Sequence, residues 1–140
     1  MNSDPIPIAE VRGQLLISVQ RELSDVDAVR LQQDILDRLR ATGASGVVLD
    51  LSGVEVVDSY IARVFNDIGT AATTMGALAV LVGLRPAVAL TLVEMDVELT
   101  SLRSELTLDR ALETLDRSRA AAERARRPGG EGNRLVPTRR

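Results

Sequence analysis

The sequence predicts an α/β domain built on one mixed, mostly parallel sheet of four to five strands with about four helices, followed by a flexible C-terminal tail. Three observations predict it. Short apolar, β-branched runs recur at residues 47–51 and 78–82, brief enough for strands and continuous enough to be buried on both faces. Around them lie stretches whose apolar residues step by three and four, the helical period. Ahead of that alternation, two alternating runs flank a glycine, which reads as an antiparallel hairpin. With 140 residues there is room for one such domain, placed at residues 1–119, with 120–140 as a basic flexible tail.

Each element has a local cause. Ile6, Ile8 and Val11 alternate with polar neighbours, Gly13-Gln14 marks a tight turn, and residues 15–19 continue as a second strand. Ser24-Asp25 is a helix N-cap signal. After it Ala28, Leu31, Ile35 and Leu39 form one stripe, Asp34, Asp37, Arg38 and Arg40 take the other face, and Gly43 ends the helix. Residues 47–51 are a central strand. Beyond a Ser52-Gly53 turn, Asp58-Ser59 opens a second helix with a stripe of Ile61, Val64, Phe65, Ile68, Ala72 and Met75, closed by Gly76. Residues 78–82 form another buried strand, and after Gly83 the ring of Pro86 suits the first turn of a helix carrying Val88, Leu92 and Met95. Residues 100–106 are polar enough for an edge strand, and Leu108, Ala111, Leu112 and Leu115 mark a last helix. Past Ala120 the chain runs into Arg-Arg-Pro-Gly-Gly-Glu-Gly-Asn, which cannot bury enough apolar area to offset the entropy of ordering it.

Composition narrows the function. All 17 basic residues are arginine; Lys, His, Cys and Trp are absent, and Tyr60 and Phe65 are the only aromatics. No disulfide, Cys/His zinc site, Ser-His-Asp triad or Cys-His dyad can be assembled, and no lysine is present for a P-loop. Stacking platforms for single-stranded nucleic acid need aromatics, so nucleic acid is not an expected partner. These absences remove the common catalytic constellations, and no cofactor or metal is expected. Met1 leads into polar Asn-Ser-Asp-Pro, and the longest apolar stretch, residues 77–84, is far short of the roughly 20 residues that span a bilayer. A cytoplasmic chain without membrane attachment is expected. The net charge of −3 divides unevenly: residues 120–140 hold six arginines against two glutamates, +4, which leaves −7 on residues 1–119. The basic segment is either a solvated end or an electrostatic tether to an acidic partner.

The informative position is Asp58-Ser59. A hydroxyl in the first turn of a helix lies among unpaired N–H groups at the positive end of the helix dipole, where a phosphoryl group is well received. The alternative is that Asp58 or Ser59 is simply a cap. Asp50 ends a buried strand as a phosphoaccepting aspartate would in a response-regulator receiver, but receivers need a lysine that this chain lacks. Asp50 with Asp58 as a divalent-metal pair is set aside, because acids near strand ends are commonly there for solvation. Paired carboxylates of glycosidase type need a cleft usually lined by aromatics.

Residues 47–59, VVLDLSGVEVVDS, resemble the phosphorylation motif of the STAS domain family (sulfate transporter and anti-sigma factor antagonist). Tyr60-Ile61-Ala62-Arg63-Val64, Met75-Gly76-Ala77 and Gly83-Leu84-Arg85-Pro86-Ala87-Val88-Ala89-Leu90-Thr91-Leu92 extend the likeness in the manner of RsbS-type, single-domain members, over residues 6–115. The resemblance implies a non-catalytic regulatory scaffold of the bacterial stressosome that co-assembles with RsbR-type paralogues bearing sensory domains, as a homo- or hetero-oligomer. It implies that an RsbT-type serine kinase is sequestered there, phosphorylates Ser59 and is released, and that a PP2C-type phosphatase resets the site. Asp58, Asp25 and Tyr60 fall at the partner surface around that phosphoacceptor. Relatives usually carry an acid directly after the leucine of Leu23-Ser24-Asp25, so Asp25 stands in for it. Asp96 occupies a position where glycine is common, and the basic tail lies outside the pattern. Within the same fold the rival is a stand-alone anti-sigma factor antagonist; in another class it is a nucleotide- or lipid-binding module in which Ser59 is only a cap.

Overall fold

The computed structural model describes residues 4–96 and 99–127. Nine elements follow one another: β1 (Ile8–Val11), β2 (Gln14–Ser18), α1 (Asp25–Thr42), β3 (Gly46–Asp50), α2 (Ser59–Thr74), β4 (Leu78–Val82), α3 (Pro86–Glu94), β5 (Arg103–Glu105) and α4 (Leu108–Arg126). They make one five-stranded sheet in the order β1-β2-β3-β4-β5, with β1 antiparallel to β2 and every later pair parallel. This is the mixed, mostly parallel sheet with four helices that the sequence predicts.

A monotonic strand order has a steric consequence. Crossovers between parallel strands are right-handed, so when each strand is added on the same side, every crossover helix lands on the same face. Accordingly α1, α2 and α3 share one core with Leu15, Ile17, Val47, Leu49, Ala79 and Leu81. The intervening residues Val48, Val80 and Val82 point the other way, where α4 alone covers them with Ala111 and Leu115. Both faces of the central strands are thus dry, which is why residues 47–49 and 79–82 carry no alternation in the sequence.

Four details differ from the sequence reading. The hairpin turn is Arg12-Gly13, both with positive φ (53° and 77°), and Gln14 is the first residue of β2, fully buried. A two-residue turn of that handedness matches the twist of its strands, whereas a turn one residue later would put Leu15 on the wrong face. Met75 and Met95 are not on buried stripes: each is the C-cap of its helix and exposed, because the three-four spacing of apolar residues continues one step past the last helical turn. The boundary at 119/120 falls inside α4, which runs to Arg126 because Ala120, Ala121, Ala122 and Glu123 are strong helix formers even without a core to face. Residues 128–140, on which the rest of the tail reading falls, lie outside the described residues. Gly43 does end α1, in the left-handed region at φ 66°, its N–H donating to the Leu39 carbonyl.

Candidate functional site

Parallel strands deliver their following loops to one edge of the sheet, and here that edge gathers residues 19–24, 51–58 and 83–85. Backbone hydrogen bonds carry the ladder into these loops: Val19 N–H donates to the Asp50 carbonyl (2.9 Å) and Leu51 N–H to that of Val82 (2.8 Å). Buried Val54 and Val57 then pin the middle loop to the core and leave Asp58 and Ser59 at the start of α2.

The local geometry assigns the cap. Asp58 is extended (φ −87°, ψ 177°), and its carboxylate accepts the Ile61 N–H at 2.8 Å. The first helical bond joins Ala62 N–H to the Asp58 carbonyl (3.0 Å), so the N–H groups of Ser59 and Tyr60 precede it and point out of the helix end. Ser59 is half-buried, and no described residue hydrogen-bonds its hydroxyl. Asp50 is half-buried at the end of β3 and accepts the Ser52 N–H at 3.0 Å, so its carboxylate closes its own turn. Gly83, at φ 76°, brings the β4–α3 turn so close that a Cβ there would stand 2.9 Å from the Ser52 Cβ and 3.0 Å from Asp50 Oδ1.

Asp25 and Tyr60 come together. With Val26, Val29 and Arg30 they line one shallow groove between the first turns of α1 and α2. The cap of α1 is Ser24, not Asp25: the Ser24 hydroxyl accepts the Asp27 N–H while the Asp27 carboxylate accepts the Ser24 N–H, a closed capping box. Asp25 is left exposed at the groove rim. The Ser24 backbone N–H and the Arg21 guanidinium, 2.9 Å away, hold the Asp27 carboxyl below the usual carboxylate range.

Several residues here were not singled out in the sequence. Val26, 72% exposed, makes with Val29 and Tyr60 the apolar part of the groove, and Val56, 70% exposed, lies three residues before Ser59. Val26 and Val29 stand out of phase with the buried stripe of α1, a signal that was available. Glu22 and Arg85 left none. They bind the middle loop from loops more than thirty residues away.

The chain matches the STAS domain family over residues 6–114. It belongs to that family. Among solved STAS structures, a serine-to-glutamate variant of RsbS from Moorella thermoacetica is 30% identical, with a TM-score of 0.70 over 81% of this chain and 97% of the other. A chain of the stressosome, described as a signal integration and transduction hub, is 32% identical, with a TM-score of 0.67 over 79% and 96%. The RsbT co-antagonist protein RsbRA of Bacillus subtilis strain 168 is 29% identical over 75 residues, which is 54% of this chain and 27% of that protein. The STAS chain thus spans about a quarter of that relative's length. Among the described residues no helix is long and apolar enough to cross a membrane, and no three acidic, His or Cys side chains group as a metal site would.

Proposed function

We propose that this chain is a non-catalytic, cytoplasmic scaffold of a stressosome, of RsbS type, which holds an RsbT-type serine kinase and releases it when Ser59 is phosphorylated. The observation that carries the reading is the division of labour at the start of α2: Asp58 does the capping, and the neighbouring hydroxyl is idle, half-exposed and beside an apolar groove. Support comes from the stressosome chain and RsbS among the similar structures, and from a relative named for co-antagonism of RsbT. RsbR-type STAS paralogues are the co-assembling partners, and a PP2C-type phosphatase removes the phosphate.

The switch is electrostatic. Phosphorylation adds about −1.5 to −2 charges. The N-terminus of α2 favours them locally, but Asp58 and Glu55 are exposed nearby and Asp25 rims the adjoining groove. A partner lying flat over Val26, Val56 and Tyr60 meets new repulsion and a new desolvation cost. A loss of about 2–3 kcal/mol loosens it roughly 30- to 150-fold. The test is kinase binding by calorimetry with Ser59→Ala and Ser59→Asp. The alanine variant binds as the parent does and takes no phosphate, and the aspartate variant binds at least tenfold more weakly. Equal binding by the two variants refutes the switch.

A further inference from the structure

The loop that presents Ser59 is gripped from outside by two exposed side chains from other loops. One oxygen of the Glu22 carboxylate accepts the Glu55 N–H at 2.8 Å and the other accepts the Val56 N–H at 3.2 Å. Two consecutive N–H groups converging on one carboxylate form a small anion nest, which this chain fills with its own acid. On the other side Arg85 donates to the Ser52 carbonyl through Nε (3.2 Å) and Nη2 (3.1 Å), and its Nη1 lies 3.9 Å from the Glu55 carboxylate.

These contacts add little to the core, because Val54 and Val57 already anchor the loop from below and Glu22 and Glu55 remain in water. What they fix is lateral position. Glu22 lies three residues before the first turn of α1, whose Asp25, Val26 and Val29 form one wall of the groove; Val56 lies three residues before Ser59. The Glu22 carboxylate therefore ties the groove wall to the phosphoacceptor segment across 33 and 34 residues of sequence.

We infer that Glu22 is a positioning residue for Ser59: its carboxylate registers residues 52–58 against the start of α1, so that a kinase meets the hydroxyl and the groove as one continuous surface. The inference rests on the reading of Ser59 as a phosphoacceptor. Glu22→Gln tests it, since the amide keeps the size but offers one acceptor oxygen and turns an NH₂ toward the second N–H. Three readouts are taken on the full chain: the Glu55 and Val56 amide resonances and their exchange rates, the thermal midpoint, and KM and kcat for phosphorylation of Ser59 by the cognate kinase. The expected result is faster exchange at both amides, an unchanged midpoint, and KM raised about tenfold at unchanged kcat, the size of one charge-assisted hydrogen bond. Unchanged amides overturn the inference, as does an unchanged KM in a protein whose amides have moved, or a KM that rises only together with a fall in the midpoint. A parent chain that the kinase does not phosphorylate overturns the phosphoacceptor reading itself, and the inference falls with it.

Discussion

Serine is a common helix cap, yet at the start of α2 the capping bond comes from Asp58, 2.8 Å from the Ile61 N–H, and Ser59 sits one residue inside. The two residues should therefore separate in stability. Asp58→Ala loses about 1 kcal/mol of unfolding free energy in urea titrations, while Ser59→Ala stays within about 0.5 kcal/mol of the parent. If Ser59→Ala cost as much as Asp58→Ala, the hydroxyl would be a structural cap and its idleness lost. The capping box of α1 gives a pH signature. Its Asp27 has a lowered pKa in the folded state, chiefly from the Ser24 N–H and then from Arg21. A carboxyl depressed on folding contributes in full above its unfolded value of about 3.9, and that contribution fades as pH falls through the folded value. The stability gap between the parent and Asp27→Asn is thus constant near neutrality and narrows below about pH 4. A gap that persists undiminished into strong acid would remove the account of a carboxylate held charged by the Ser24 N–H and Arg21.

Helix α2 shows how far periodicity reaches. The stripe Ile61, Val64, Phe65, Ile68 and Ala72 was legible because a three-four stepping of large apolar residues admits no other regular structure, and all five are buried. What stepping cannot show is where the last turn ends, hence the exposure of Met75 and Met95, or which neighbour comes closest. Gly69 is such a neighbour: a Cβ there would stand 2.5 Å from the Ser101 carbonyl oxygen and 2.7 Å from its Oγ. The same stretch is tied to α2 through Asn66, whose side chain accepts the Ser101 N–H at 3.0 Å. Alanine is ordinarily the better helix former by about 1 kcal/mol. Here Gly69→Ala should instead lower stability, by about 1–3 kcal/mol before that gain is subtracted, because a backbone carbonyl must move. A more stable Gly69→Ala protein would show the 99–102 segment to be readily displaced.

For the molecule as a whole, the fold class followed from the alternation of elements, whereas the strand order β1-β2-β3-β4-β5 did not, since right-handed crossovers are compatible with more than one order of parallel strands. The motif at 47–59 singles out Asp58 and Ser59, and the fold places Asp25 and Tyr60 in one groove. The fastening of the loops was illegible: that Glu22 reaches Glu55 and Val56, and Arg85 reaches Ser52, depends on which loop ends share a sheet edge, and no local pattern encodes it. At this scale the scaffold and the stand-alone antagonist part company. Mixed with an RsbR-type STAS paralogue, a scaffold elutes in a particle many times the mass of one chain, whereas an antagonist elutes at its monomer position. The direction of α4 bears on how such measurements are made. Its first turn follows β5 at the Ser59 edge, and its last turns reach a cleft with Gly13, Gly43 and Gly76 at the opposite edge. Nineteen helical residues cover about 28 Å. A dye or affinity handle coupled at Arg126 itself therefore sits at the pole opposite Ser59, and surface immobilisation through it leaves the start of α2 turned toward solution.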